Sequence, residues 1–114
     1  YKTDNGKITV ISVLYNYGDE NQALKQIWDK MPQAANTETE LSQAISLDDF
    51  YPEDKDYYNF EGSLTTPPCT EGVNWIVFKN QETVSKEQVE KFTQTLGFEN
   101  NRPIQDTNGR KIKE

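Results

Sequence analysis

The chain has 114 residues, enough for one domain, with a formal net charge of −7 at pH 7 and an isoelectric point near 4.6. This acidity argues against a nucleic acid or an anionic membrane as partner, because both need clustered lysine and arginine. The sequence has no histidine and one cysteine. It therefore cannot build a three- or four-ligand zinc site from its own nitrogen and sulfur donors, or a Ser-His or Cys-His nucleophile. Hydrophobic residues make up only 33%, so we expect part of their apolar partners to lie on residues outside these 114.

The first predicted elements are a strand and a helix. Asp4-Asn5-Gly6 is a turn signal, and residues 7–18 after it carry apolar side chains on both parities, which is typical of a central strand covered on both faces. Residues 19–32 place four apolar side chains at helical spacing, with acidic residues first and a proline at the end. This pattern predicts a surface helix that covers one side of the sheet. The four side chains are Leu24, Ile27, Trp28 and Met31.

The rest of the chain predicts two strands, a loop between them and a second helix. Residues 33–56 predict irregular structure with one or two helical turns. Aromatic and β-branched residues predict strands at 57–62 and 73–80. Ser85 and Gln88 have capping-box spacing ahead of an apolar stripe, so a helix is expected to start there and end near Gly97. The tail is turn-rich, with a short last strand expected at 110–113.

The loop EGSLTTPPCTEG, residues 61–72, is the strongest candidate for a site. It combines three hydroxyls with a neighbouring apolar wall, an arrangement found in many small-molecule sites. Two adjacent prolines stiffen the loop and make a cis bond plausible. From the residues alone, an ordinary structural loop and a binding site both stay open. The hydroxyls belong to Ser63, Thr65 and Thr66, and the wall to Leu64, Val73 and Trp75.

The run YYNFEGSLTTPPCTEGVNWIVFKN resembles the core motif of the α-class carbonic anhydrases, where a tyrosine-rich strand, G-S-L-T-T-P-P and V-x-W-I-V occur in this order. GKITVISVLYNYGDENQALKQIWDKMP before it, and VSKEQVEKF, NNRPIQ and GRKIK after it, are similar to the same domain. The resemblance implies an α+β, mainly β, fold: a twisted, mostly antiparallel central sheet with helices on its outer faces. It implies that residues 1–114 are the C-terminal portion of one domain, with the missing N-terminal half as a partner. It also places the cis bond between Pro67 and Pro68.

The same resemblance implies zinc-dependent, reversible hydration of carbon dioxide to bicarbonate. In this family three histidines hold the zinc, which lowers the pKa of bound water to about 7. The resemblance implies that Thr65 would accept a hydrogen bond from the resulting hydroxide and donate its own proton to a buried glutamate, and that its backbone N–H would be the donor that anionic and sulfonamide inhibitors use. It also implies that Thr66 would line the mouth of the site and help to hold bicarbonate. The apolar pocket for carbon dioxide is implied for Leu64, Val10, Val73 and Trp75.

Several family residues have no counterpart in this chain. The zinc histidines, the proton-shuttle histidine and the glutamate partner of Thr65 are expected upstream of residue 1, so no metal ligand is assigned here. The chain alone is therefore expected to be catalytically inert. Phe60 stands where many members have tyrosine, and Arg102 resembles a structural arginine for which packing and ion pairing are expected.

Cys69 occupies a position at which many bacterial and several secreted members carry a cysteine that pairs with one near the N-terminus. Such a disulfide would imply an oxidising location: the periplasm, the cell surface or the outside of the cell. A free thiol is the alternative.

Three hypotheses about function stay open. The first is part of a zinc lyase, and the second is a metal-free, carbonic-anhydrase-related binding or adhesion module, which would not need the Thr65 hydroxyl. The third is a truncated or rearranged product that folds only by pairing with another chain, including as a homodimer. An isolated half-domain would expose strand edges and its apolar wall, so we expect the chain alone to be poorly soluble or oligomeric.

Overall fold

The structure, a computed structural model, describes residues 1–114. The fold is α+β and mainly sheet, which confirms the predicted class, and neither helix has the length and apolarity that a membrane span needs. The elements are β1 (Ile8–Ser12), β2 (Tyr15–Tyr17), α1 (Gln22–Trp28), a short 3₁₀ helix (Leu47–Phe50), β3 (Tyr57–Ser63), β4 (Glu71–Phe78), β5 (Glu82–Val84) and α2 (Lys86–Leu96).

The chain divides into two compact units. The sheet unit contains β1, β3 and β4, and the helical unit contains β2, β5 and both helices. Residues Tyr1–Leu14, Pro52–Gln81 and Asn100–Glu114 form the sheet unit, and residues Tyr15–Tyr51 and Glu82–Glu99 form the helical unit.

The sheet unit is built on three strands in the order β1–β4–β3. β4 pairs in parallel with β1 and antiparallel with β3. Because residues level with one another across a sheet point to the same side, the register sets rows of residues on one face, and two of these rows contain residues of the predicted site. A register shift between Gly62 and Ser63 ends the regular pairing where β3 enters the loop. The two rows are Val10–Trp75–Phe60 and Ile8–Val73–Gly62.

The N-terminal strand differs from the prediction. Residues 7–18 do not form one strand, because β1 ends at Ser12 and β2 pairs with β5 in a separate ladder. The expectation of a central, covered strand is wrong for β1 in this chain, since β1 lies at an edge and all five of its residues are half-buried. Its outer side has only the short N-terminal segment, whose Tyr1 exchanges two backbone hydrogen bonds with Thr9.

The sheet is mixed, whereas the sequence predicts a mostly antiparallel one. Only the β3–β4 ladder is antiparallel, and β1–β4 and β2–β5 are parallel. A short loop can join only antiparallel neighbours, while the long connections from β1 to β4 and from β2 to β5 permit parallel pairing. At the C-terminus an isolated bridge between Asn59 and Lys113 replaces the expected last strand.

The helical unit contains both predicted helices, but α1 is shorter than predicted, because it spans only Gln22–Trp28 and leaves Met31 outside the helix. The N-terminus of α2 has the predicted capping box, in which Ser85 and Gln88 each accept a hydrogen bond from the other's backbone N–H, and the helix ends at Gly97 with φ of 79°. Trp28 of α1 stacks on Phe92 of α2 with ring centroids 5.5 Å apart. β5 is absent from the sequence prediction because its three residues are too few to show a strand pattern.

Few side chains are fully buried. The buried hydrophobic residues are Val73, Phe78 and Val84, with 1%, 6% and 7% of their surface exposed. Large apolar side chains such as Leu47 and Ile104 are exposed. The core is therefore as thin as the low hydrophobic content predicts.

Candidate functional site

The predicted carbon dioxide wall lies on one face of the sheet unit. Val10, Val73 and Trp75 belong to the two rows described above, and we call the six residues of those rows the apolar face. Val73 is buried, while Val10 and Trp75 are half-buried. The strand register therefore places on one face three residues that the family resemblance assigns to one pocket.

Phe60 is a member of this face that the sequence did not assign to the site. It lies level with Trp75 on the neighbouring strand, and the two rings are nearly parallel, with centroids 6.3 Å apart and an interplanar angle of 4°. The signal available in the sequence was the alternation of Tyr58, Phe60 and Gly62 along β3. This alternation puts the three residues on one face of the strand, which is the face that also carries Trp75.

The Trp75 indole lies where a side chain on residue 62 would otherwise be, and Gly62 has none. A Cβ atom built on Gly62 would lie 3.0 Å from Trp75 Cδ1, 3.3 Å from Trp75 Nε1 and 3.4 Å from Phe60 Cε2. The absence of a side chain at this position therefore lets the indole lie directly over the β3 backbone.

The loop after β3 is closed by two backbone hydrogen bonds. The Leu64 N–H donates to the Thr70 carbonyl at 2.9 Å, and the Cys69 N–H donates to the Thr66 carbonyl at 2.8 Å. The Pro67–Pro68 bond is cis, as predicted. Thr65 and Thr66 are exposed on this loop, and Leu64 is half-buried. Since the loop leaves β3 and returns to β4, these residues lie at the end of the sheet where the Val73–Gly62 row is found.

Ser63 is the junction between the sheet and this loop. Its carbonyl accepts a hydrogen bond from Trp75 Nε1 at 2.9 Å. Its hydroxyl donates to the Leu64 carbonyl at 3.0 Å and accepts a hydrogen bond from Arg102 Nη1 at 2.7 Å. The ion pair expected for Arg102 is therefore not what the structure shows, because its guanidinium binds a serine hydroxyl.

The residues present do not fit a zinc ion. The chain has no histidine, and no group of three or more histidine, cysteine, aspartate or glutamate side chains could hold a metal. Cys69 is half-buried with a free thiol and has φ of 55°. The site therefore consists of an apolar face and a hydroxyl-bearing loop.

The whole chain, residues 1–114, matches the model of the family described as eukaryotic-type carbonic anhydrase. The chain belongs to this family.

Individual relatives agree with this assignment. The carbonic anhydrase of Neisseria gonorrhoeae is 44% identical over 97% of the chain and 44% of its own length, and that of Klebsiella pneumoniae is 40% identical over 100% and 46%. An α-carbonic anhydrase from Thermovibrio ammonificans, solved with the inhibitor sulfanilamide, is 48% identical with a TM-score of 0.91, over 96% of this chain and 48% of that one. The chain thus spans a little under half the length of the curated relatives it matches.

Proposed function

We propose that these 114 residues form the substrate-binding part of a carbonic anhydrase that interconverts carbon dioxide and bicarbonate. The observation that carries the proposal is the position of a loop with two exposed threonines at the end of the apolar face. Family membership supports the same reaction.

The two parts of the site suit the two forms of the substrate. Carbon dioxide has no hydrogen-bond donor and no net charge, so a wall made of Val10, Val73 and Trp75 can hold it without leaving a polar group unpaired. Bicarbonate is an anion that needs oriented donors. Thr65 supplies a hydroxyl and a backbone N–H, neither of which is engaged within the chain, and Thr66 supplies a second hydroxyl.

The metal of this family must be held elsewhere if the proposal is correct. Because the residues of this chain do not fit zinc, we assign no step of the reaction to a metal here. We propose that the ligands belong to the other half of the domain, which would be the structural partner of this chain. The chain matches 44% and 46% of the length of two relatives, which supports assigning the ligands to the other half of the domain.

A graft tests the proposal directly. Residues 1–114 would replace the matching segment of the gonococcal carbonic anhydrase, and carbon dioxide hydration would be measured by stopped flow. We expect the graft to be active and the 114-residue chain alone to be inactive. Thr65→Ala should lower turnover by about a hundredfold, the cost typical of removing one preorganised group. Thr65→Ser is the matched control, because it keeps the hydroxyl and should retain most of the activity.

The proposal would be contradicted if the graft folded without activity or did not fold. A graft that unfolds cooperatively on heating but does not hydrate carbon dioxide would contradict the assigned function. A graft that does not fold would contradict the structural equivalence that supports it. Equal turnover of the Thr65→Ala and unsubstituted grafts would remove Thr65 from the catalytic residues.

A binding module is the second candidate. Dioscorin, solved in complex with ascorbate, is 32% identical to this chain with a TM-score of 0.82 over 97% of it. A member of this fold group can therefore be crystallised with a small organic ligand. Binding of ascorbate to an inactive but folded graft, measured by calorimetry, would favour this candidate over the enzyme.

We also propose that Cys69 forms a disulfide with a cysteine outside these residues, in the periplasm or outside the cell. Cys69 is half-buried on a turn closed by the hydrogen bond from its N–H to the Thr66 carbonyl, and its neighbours Pro68 and Thr70 are exposed. Mass spectrometry of the natural protein after alkylation without reductant tests this, since an alkylated Cys69 would rule the disulfide out.

A further inference from the structure

A relay of hydrogen bonds runs from the C-terminal segment to the peptide that precedes Thr65. Arg102 Nη1 donates to Ser63 Oγ at 2.7 Å, and Ser63 Oγ donates to the Leu64 carbonyl at 3.0 Å. Arg102 is 39 residues away from Ser63 in sequence, so this contact depends on the tertiary fold.

The donors of this relay can be assigned from chemistry. A guanidinium has only N–H donors, so the Ser63 oxygen must accept from it. The Ser63 hydroxyl proton is then left for the Leu64 carbonyl, and the positive charge on Arg102 polarises that second hydrogen bond. Arg102 has no carboxylate within ion-pair distance, so its charge is directed to the serine.

Fixing the Leu64 carbonyl also fixes the Thr65 N–H. The two groups belong to one planar trans peptide and point in opposite directions from it. The other side of Leu64 is held as well, because its own N–H donates to the Thr70 carbonyl. The Trp75 indole in turn holds the Ser63 carbonyl. The backbone before Thr65 is therefore tied at three successive groups, while Thr65 itself is left unpartnered.

We propose that Arg102 and Ser63 are positioning residues that aim the Thr65 N–H and hydroxyl at the substrate. This inference rests on the function proposed above. It assigns to Arg102 a role in turnover, in addition to the packing that its partial burial implies.

The test uses four variants of the graft: Arg102→Ala, Ser63→Ala, the double variant and Arg110→Ala. We expect Arg102→Ala and Ser63→Ala each to lower kcat by about tenfold with little change in KM, because misdirected groups near the reacting atoms cost turnover. The double variant should lose little more than either single one, since both changes break the same relay. Added guanidinium should restore part of the activity of Arg102→Ala and none of that of Ser63→Ala.

Arg110→Ala is the matched control. Arg110 lies in the same C-terminal segment and carries the same charge, but it donates only to the carbonyls of Glu61, Asp106 and Thr107. We expect this variant to keep its kcat. A general loss of charge or of C-terminal packing would lower the turnover of both arginine variants alike, and would overturn the proposal.

Two readouts are independent of turnover. Inhibition by sulfanilamide should weaken in Arg102→Ala and Ser63→Ala but not in Arg110→Ala, if the Thr65 N–H is a donor to such ligands. In ¹H–¹⁵N spectra of the graft, the Thr65 amide and Trp75 indole resonances should shift in Ser63→Ala. The Trp28 indole, which donates to the Gln88 carbonyl at 2.8 Å in the helical unit, should not shift.

The outcomes separate this inference from the proposed function. An unsubstituted graft that folds but has no activity contradicts the proposed function. An active graft whose kcat is unchanged by both Arg102→Ala and Ser63→Ala overturns the positioning role alone. Loss of thermal stability with unchanged kcat would likewise overturn it, because that result assigns the relay to folding only.

Discussion

A methyl group at Gly62 should disrupt the apolar face from within. The Cβ of Gly62→Ala would lie 3.0 Å from Trp75 Cδ1, a separation that real Cβ atoms barely reach. The indole cannot withdraw freely, because it stacks against Phe60 and its Nε1–H donates to the Ser63 carbonyl at 2.9 Å. The substitution must therefore push Trp75 outward and strain or break that hydrogen bond.

The expected cost follows from three contributions. Overpacking of a well-filled site typically costs about 1–3 kcal/mol, and loss of one hydrogen bond costs about 1 kcal/mol. Replacing a glycine in a strand interior by alanine stabilises the folded state by about 0.5–1 kcal/mol, because the unfolded chain then loses less conformational entropy on folding. The net expectation is a loss of about 2 kcal/mol in the free energy of unfolding.

Urea unfolding of the graft, followed by far-ultraviolet circular dichroism, measures this change. The control is a double-mutant cycle with Trp75→Val, which removes the ring atoms that the new methyl group meets and keeps a residue suited to a strand. In that background Gly62→Ala should be neutral or slightly stabilising, which gives a coupling energy of about 2 kcal/mol. If Gly62→Ala costs the same with and without the indole, the close approach of Gly62 and Trp75 does not explain the glycine.

Two further predictions concern other parts of the chain. Gln88 is 7% exposed, and its amide accepts hydrogen bonds from the Asn21 and Ser85 N–H groups and donates to the Asn21 carbonyl. Gln88→Ala should therefore cost about 3 kcal/mol, since it leaves three part-buried backbone groups unpaired at about 1 kcal/mol each, the lower end of the usual cost. The cap variant Ser85→Ala should cost about 1 kcal/mol, and equal losses in urea unfolding would contradict this. The 114-residue chain alone should associate with increasing concentration in sedimentation velocity, because β1 is an edge strand beside a half-buried apolar face; a monomer with a sharp two-state melt would contradict it.

The elements that the sequence predicts well are those whose signals are local. The capping box of α2 needs only residues three apart, and Ser85, Gln88 and Gly97 all occupy the expected places. The β3–β4 pair and its loop lie within residues 57–78, so the turn chemistry and the two strand patterns can be identified in one stretch. The cis bond between Pro67 and Pro68 follows from the family motif in the same stretch.

The features that the sequence does not predict depend on distant partners. Apolar residues on both parities predict that β1 is covered on both faces, but this pattern does not show whether the covering residues belong to the same chain. In these 114 residues Val10 and Ile11 are both half-buried. The partner of Arg102 cannot be predicted from the sequence either. A guanidinium can bind a carboxylate or a hydroxyl, and only the fold brings Arg102 to Ser63.

The difference between local and distant signals also explains why this site can be recognised although no group of side chains in the chain could hold a metal. The wall and the loop come mainly from one antiparallel pair, so the residues that would bind carbon dioxide and orient bicarbonate stay together in a stretch of some twenty residues. Val10 joins them through the parallel β1–β4 register, and Arg102 reaches Ser63 from the C-terminal segment. Every group that we propose to act on the substrate, and every group that positions it, therefore lies in the sheet unit. A substitution that breaks the Arg102–Ser63 relay should then impair turnover of the graft through the sheet unit alone.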